Sequence, residues 1–134
     1  MPEVFCNGGA MRGGDLHHNV ADHTFLGPAV TAPRYRFFSV RDDFPALLSD
    51  EELGGAIAGE LYEVSLDAIR TDFLPEEPAE LQLDVIELDD GRSVLAVTLR
   101  PGLTESIADE LIEITQVGDW RAYRGLPHPD SATA

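Results

Sequence analysis

Apolar residues fall along this chain in short runs broken by glycine, proline and acidic turns, and their spacing predicts strands more often than helices. Val4-Phe5-Cys6 is a continuous apolar run ended by Asn7-Gly8-Gly9, the pattern of a buried strand entering a turn. A glycine-rich stretch continues to Gly14. Leu16 and Val20 then stand four apart, which predicts a short helix over residues 15–20 with Asp15 as its cap. Residues 25–31 and 35–40 predict two strands, with Pro33 between them where a ladder hydrogen bond can be spared. Residues 41–55 are polar and acidic around the patch Phe44-Pro45-Ala46-Leu47-Leu48 and read as a loop with a short turn of helix. Residues 56–64 predict the central strand. Ser65 caps a helix that uses Leu66, Ile69 and Phe73 and stops at Pro75.

The second half continues in the same way. Residues 81–88 alternate, Asp89-Asp90-Gly91 is a hairpin signal, and residues 93–99 return before Pro101-Gly102. Ile107, Leu111, Ile112 and Ile114 predict a helix over 104–114 capped by Thr104. Residues 120–126 form a short closing segment. Six strands with two or three short helices predict an α+β domain with a mostly antiparallel, barrel-like sheet. The domain spans residues 1–126, with a small, polar, flexible tail over 127–134.

Length and charge narrow the function. A chain of 134 residues with 43% hydrophobic content builds one core. There are 25 acids against 9 bases, a net charge of −16, and every base is an arginine. Such a chain cannot build the basic face that nucleic acid or an anionic membrane needs, so neither is an expected partner. The acidity is a solvated surface or a patch for a basic partner. The single cysteine, Cys6, excludes an internal disulfide and a cysteine metal cluster. No apolar run reaches the ~18 residues that span a bilayer, and Met1-Pro2-Glu3 lacks a basic or apolar leader pattern, which predicts a cytoplasmic protein.

The first candidate chemistry lies in the loop of residues 7–14. Glycines let the backbone turn sharply and bring amide N–H groups close to an anion such as a carboxylate. No lysine follows, so this is no phosphate-binding P-loop. It is otherwise a purely structural turn. Glu60 is the second candidate. On its strand Ala58, Glu60 and Tyr62 share a face opposite Ile57, Gly59 and Leu61. A partly buried Glu60 has a raised pKa and serves as a general base; a solvent-facing or arginine-paired Glu60 does not. His17 and His18 point about 100° apart on a helix and match no zinc spacing with His23, so no metal is expected and His17 is either at a pocket edge or on the surface. Cys6 is a small core residue. Glu76, Glu77 and Glu80 make a solvated acidic loop or a pocket rim contributing Glu76 or Glu77. Trp120 and Tyr123 lid the core, and Arg121 answers a ligand carboxylate or a local acid.

Residues 4–14 resemble the opening of the gamma-glutamylcyclotransferase-like superfamily, a strand running into Tyr-Gly-Ser/Thr-Leu-Met-x-Gly. Here Asn7, Gly8 and Gly9 take the first three positions, and Met11 and Gly13 match. Phe25-Leu26-Gly27, Tyr35-Arg36-Phe37, Phe44-Pro45-Ala46-Leu47 and Gly59-Glu60-Leu61-Tyr62-Glu63-Val64 sit where that superfamily has its recurring blocks. The nearer resemblance is to the C-terminal domain of allophanate hydrolase. Its blocks appear as Thr31-Ala32-Pro33-Arg34-Tyr35-Arg36-Phe37-Phe38, as Ile86-Glu87-Leu88-Asp89-Asp90-Gly91-Arg92, and as Glu113-Ile114-Thr115-Gln116-Val117-Gly118-Asp119-Trp120-Arg121-Ala122-Tyr123. Together they cover residues 4–126, so the chain looks like a free-standing copy of that domain. Ala10 departs from a histidine usual in the glycine loop of that family. The cyclotransferase glutamate has its nearest match at Asp72 to Glu76.

The resemblance implies an enzyme acting on a small carboxylate- or carbamate-bearing amide, either a gamma-glutamylcyclotransferase-like lyase or acyltransferase or a decarboxylase of the allophanate pathway. Glu60 is the expected catalytic residue. Asn7, Gly8, Gly9, Ala10, Met11, His17, Tyr35 and Tyr62 are the expected substrate contacts, with no cofactor. The other expectation is a non-catalytic dimerisation or regulatory module that partners a separate amidase. A homodimer goes with either.

Overall fold

The computed structural model of the chain describes residues 1–129, so residues 130–134 of the expected flexible tail lie outside the described part. Eight strands form two sheets: β1 Glu3–Cys6, β2 Thr24–Val30, β3 Tyr35–Val40, β4 Phe44–Ser49, β5 Ala58–Glu63, β6 Leu81–Glu87, β7 Ser93–Leu99 and β8 Leu111–Glu113. The larger sheet runs β2-β5-β1-β7-β6 and the smaller β4-β3-β8, and they do not close into a barrel. All pairings are antiparallel except β1 with β7, which run parallel at Val4 and Leu95. The α+β class with a mostly antiparallel sheet holds.

β1 is an unbroken apolar run because it lies mid-sheet with both faces covered; Val4, Phe5 and Cys6 are all buried. Phe37 and Val40 of β3 and Ala46 and Leu47 of β4 join Phe5, Leu61 and Val97 of the larger sheet in one core. The Asp89-Asp90-Gly91 turn joins β6 to β7 as its sequence demands, with Gly91 at φ 88°.

Three expectations are corrected. Residues 44–49 are strand β4, not a loop with a turn of helix. Arg41 and Asp42 take left-handed backbone at φ 54° and 59°, which turns β3 back on itself and pairs Phe44 to Ser49 against it. The apolar patch is thus a strand's buried run. Residues 104–114 are not one helix. A turn of helix (α2, Leu103–Ser106) and a 3-10 turn (Ala108–Glu110) lead into β8, which pairs Leu111, Ile112 and Glu113 with the open edge of β3. Filling that edge and the β-branched residues favour strand over helix here. Residues 15–20 hold only a 3-10 turn, His17–Asn19, entered at Leu16 without a side-chain cap.

Ser65 does cap its helix, accepting from the Ala68 N–H at 3.1 Å. α1 (Leu66–Ala68) widens into a π turn, Ile69–Phe73, and tightens into a 3-10 turn, Leu74–Glu76, which runs through Pro75 and ends where Glu77 turns extended, one residue beyond the expected stop. The closing segment is α3, Trp120–Arg124, capped by Asp119 and ended by Gly125 at φ 69°. No helix among the described residues is long and apolar enough to cross a membrane.

Candidate functional site

The glycine loop of residues 7–14 leaves the end of β1 and folds tightly on itself. Met11 N–H donates to the Gly8 carbonyl at 3.0 Å, Gly14 N–H to Met11 at 2.9 Å, and Leu16 N–H to Gly9 at 2.9 Å. Two glycines are sterically required. A Cβ on Gly8 would stand 2.7 Å from Pro45 Cδ, and one on Gly14 would strike the Gly9 carbonyl.

From behind, the loop is held by Glu60 of β5, whose exposure is 1%. The Arg12 backbone N–H donates to Glu60 Oε1 and Arg12 Nε to Oε2, both at 2.8 Å. Arg121 of α3 donates to Oε2 at 3.0 Å and to the Arg12 carbonyl at 2.7 Å. Tyr62 donates its hydroxyl to Glu60 Oε1 at 3.1 Å. Burial acts to raise the Glu60 pKa, but the bonds from Arg12 and Arg121 outweigh it and hold the carboxyl below its ordinary range. The expected raised pKa is therefore corrected: a carboxylate fixed by this many donors is a poor proton acceptor. The arginine-paired alternative is the one found, and Arg121 answers a local acid.

Two cavities flank the loop. The first, of about 290 Å³, is lined by Asn7, Gly8, Gly9 and Ala10 on the loop side. Facing them are Phe5, Cys6, Leu81 and Val97 from the strands, Phe44 and Pro45 of β4, Phe73, Trp120, and the carboxylates of Asp15, Asp43, Glu76 and Glu77. The second, of about 320 Å³, lies between the loop, the β3–β4 turn and α3, and is lined by Arg12, Arg121 and Arg124 among others.

In the first cavity Glu77 stands apart. It is partly buried, and among the described residues no hydrogen bond or ion pair reaches its carboxyl. Burial, with the adjacent Glu76 charge adding to it, pushes its pKa up to about 7. Its neighbour Glu76 is the reverse. Asn19 Nδ2 and His18 Nε2 both lie 2.9 Å from its carboxylate and hold its pKa down. Cys6 is buried, and that burial, with Glu77 and Glu60 nearby, pushes its thiol up and keeps it protonated, as a core residue should be.

Of the expected substrate contacts, Asn7, Gly8, Gly9 and Ala10 line the first cavity. The N–H groups of Gly8, Gly9 and Ala10 make no hydrogen bond among the described residues, whereas that of Met11 closes the turn and is occupied. Met11 lines the second cavity. Glu60, Tyr62 and His17 line neither; His17 Nδ1 lies 3.0 Å from the Ala10 carbonyl, bracing the loop from outside. Tyr35 lies elsewhere, its hydroxyl accepting from the Glu87 N–H at 2.8 Å. Glu77 was visible in the sequence only as one rim residue of an acidic loop. Spacing carries no signal for it: Glu77 follows the 3-10 turn Leu74–Glu76 in extended backbone, outside any helical repeat that would relate it to Phe73.

The family model of the allophanate hydrolase C-terminal domain matches residues 2–125. The chain belongs to this family. A solved structure of a uropathogenic E. coli-specific protein is 32% identical with TM-score 0.85, and the match covers 95% of this chain and 98% of that one. Kluyveromyces lactis allophanate hydrolase is 23% identical with TM-score 0.82, covering 92% of this chain; the chain spans only 21% of that enzyme's length. An AIG2-like protein from Mus musculus matches at 24% identity and TM-score 0.58, covering 76% of this chain and 78% of that one. These neighbours bear out the gamma-glutamylcyclotransferase-like fold. None of the curated proteins compared matches the chain.

Proposed function

We propose that this family member is an enzyme that moves a proton on a small amide or carbamate bound in the first cavity, with Glu77 as its general acid–base. The observation that carries this reading is the unpartnered Glu77 carboxyl, raised to about 7 by burial, in the same cavity as the loop's unoccupied N–H groups. A pKa near neutrality lets one group accept and return a proton at working pH. The N–H groups of Gly8, Gly9 and Ala10 are donors for a carbonyl oxygen as it gains negative charge. In acyl chemistry Glu77 takes the proton of the attacking nucleophile, water or the ligand's own amine, as the new bond to the carbonyl carbon forms. It returns that proton to the departing nitrogen as the C–N bond breaks. No redox change occurs. Glu60 serves the reaction as a positioning residue that fixes the loop.

The test is a thermal-shift panel of small amides, ureas, carbamates and gamma-glutamyl amides on wild type and Glu77→Gln. A ligand at 100 times its Kd adds about 2.7 kcal/mol of stability. Turnover of any hit should fall roughly 10²–10⁴-fold in Glu77→Gln with folding intact. A substrate turned over equally by the variant would end this reading.

A second reading is a non-catalytic module that works beside a separate amidase, alone or as a homodimer. It is favoured by the K. lactis enzyme, whose longer chain includes a region matching this one. A panel with no ligand at all would support it.

A further inference from the structure

We infer that the cavity beside the glycine loop selects an amide or carbamate carrying a positive charge at its outer end and disfavours an anionic one. This rests on the reading of that cavity as the ligand site. It also revises the carboxylate-bearing substrate that the family resemblance implies.

The loop end of the cavity is built for an amide. Asn7 is 6% exposed, and among the described residues its side-chain amide makes no hydrogen bond. No buried side-chain nitrogen or oxygen among them is left unsatisfied, so the Asn7 amide still meets solvent. For a residue so enclosed, that opening is the cavity it lines. It offers one donor and one acceptor group beside the unoccupied N–H groups of Gly8, Gly9 and Ala10. A neutral amide or carbamate uses all of these.

The rest of the polar lining is acidic. Asp15, Asp43, Glu76 and Glu77 contribute, and no arginine or histidine lines this cavity. The nearest cations are engaged elsewhere. Arg12 and Arg121 are tied to Glu60 and line the second cavity, on the other side of the loop. Arg41 gives its short contacts of 2.8 Å to Glu80 and Glu110 and lies 3.6 Å from Asp43. A ligand carboxylate entering here meets a lining whose charged groups are all carboxylates, with Arg41 and His18 already beside Asp43 and Glu76, which is a repulsive selection against it. An ammonium or guanidinium meets Asp15 and Asp43.

A matched set of probes decides it: β-alaninamide (cationic), propionamide (neutral) and malonamate (anionic), titrated against the whole chain by NMR. β-Alaninamide should bind at least about tenfold more tightly than malonamate, a difference of ~1.4 kcal/mol, with propionamide between. The double variant Asp15→Asn/Asp43→Asn should narrow that gap several-fold. Malonamate binding as well as β-alaninamide, with shifts at Asn7 and Gly8, would overturn the charge selection and leave the cavity reading standing. Loop shifts from none of the three would overturn both.

Discussion

Glu60 and Glu77 stand on opposite sides of one glycine loop, both withdrawn from bulk water, and their surroundings drive them in opposite directions. Glu60 has donors from Arg12, Arg121 and Tyr62 and is held ionised. Glu77 has none and is pushed up to about 7. The contrast teaches that burial alone does not make a base. Burial weighs against charge in both; only where no donor compensates it does the pKa rise. A fully compensated carboxylate holds structure together. An uncompensated one is costly to the fold and useful for moving protons.

The largest way to test the contrast is to cut the compensated group. Glu60→Gln removes the carboxylate that Arg121 and Arg12 share beneath the loop. Breaking one partner of a buried pair costs roughly 3–5 kcal/mol, which is a large share of a small domain's stability. Denaturant unfolding should show that loss. Glu77→Gln should show none at neutral pH. Equal loss in both variants would erase the distinction between them.

Next in size is the pH dependence of stability, where the two groups have opposite signs. Glu77 has a folded pKa of about 7, above its unfolded value of 4.5. Its contribution is fully present below 4.5 and is lost as pH rises through 7, by at most ~3 kcal/mol. Glu60 has a depressed folded pKa. Its contribution is present above its unfolded value and is lost as pH falls through the folded one. Glu77→Gln should therefore flatten the stability curve between pH 4.5 and 7 and leave the acid limb in place. A variant whose curve still declines across that window would assign the slope to another group.

Much of this fold was legible in the pattern of residues, because strands buried on both faces write themselves as apolar runs and the Asp89-Asp90-Gly91 turn is chemically specific. The losses have physical causes. β4 hid because its hairpin turn uses Arg41 and Asp42 in left-handed backbone, without a glycine to mark it. β8 hid because three residues become strand only by pairing with an edge far away in sequence. The site divided along the same line. The glycine loop was local and readable, and so were Asn7 to Ala10 within it. Glu60 stood out by its strand position, but its charge state depends on Arg12 and Arg121, which lie 48 and 61 residues from it. Glu77 and Glu76 are adjacent and chemically identical. Both border the cavity, and only the turn Leu74–Glu76 gives Glu76 partners in His18 and Asn19 while leaving Glu77 with none among the described residues.

That adjacency gives the smallest and sharpest test. Burial is the larger cause of the Glu77 shift and the Glu76 charge the lesser. Glu76→Gln removes the neighbouring charge and keeps the turn, since Gln still accepts from Asn19. The Glu77 titration, followed by carbon-13 NMR of its carboxyl, should move down by a fraction of a pH unit and remain well above 4.5. If it fell all the way to the ordinary glutamate range, the like charge would be the cause and the cavity would be wetter than its lining indicates. If it did not move at all, the two carboxylates would be screened from each other by solvent, and the turn would separate them more completely than adjacency implies.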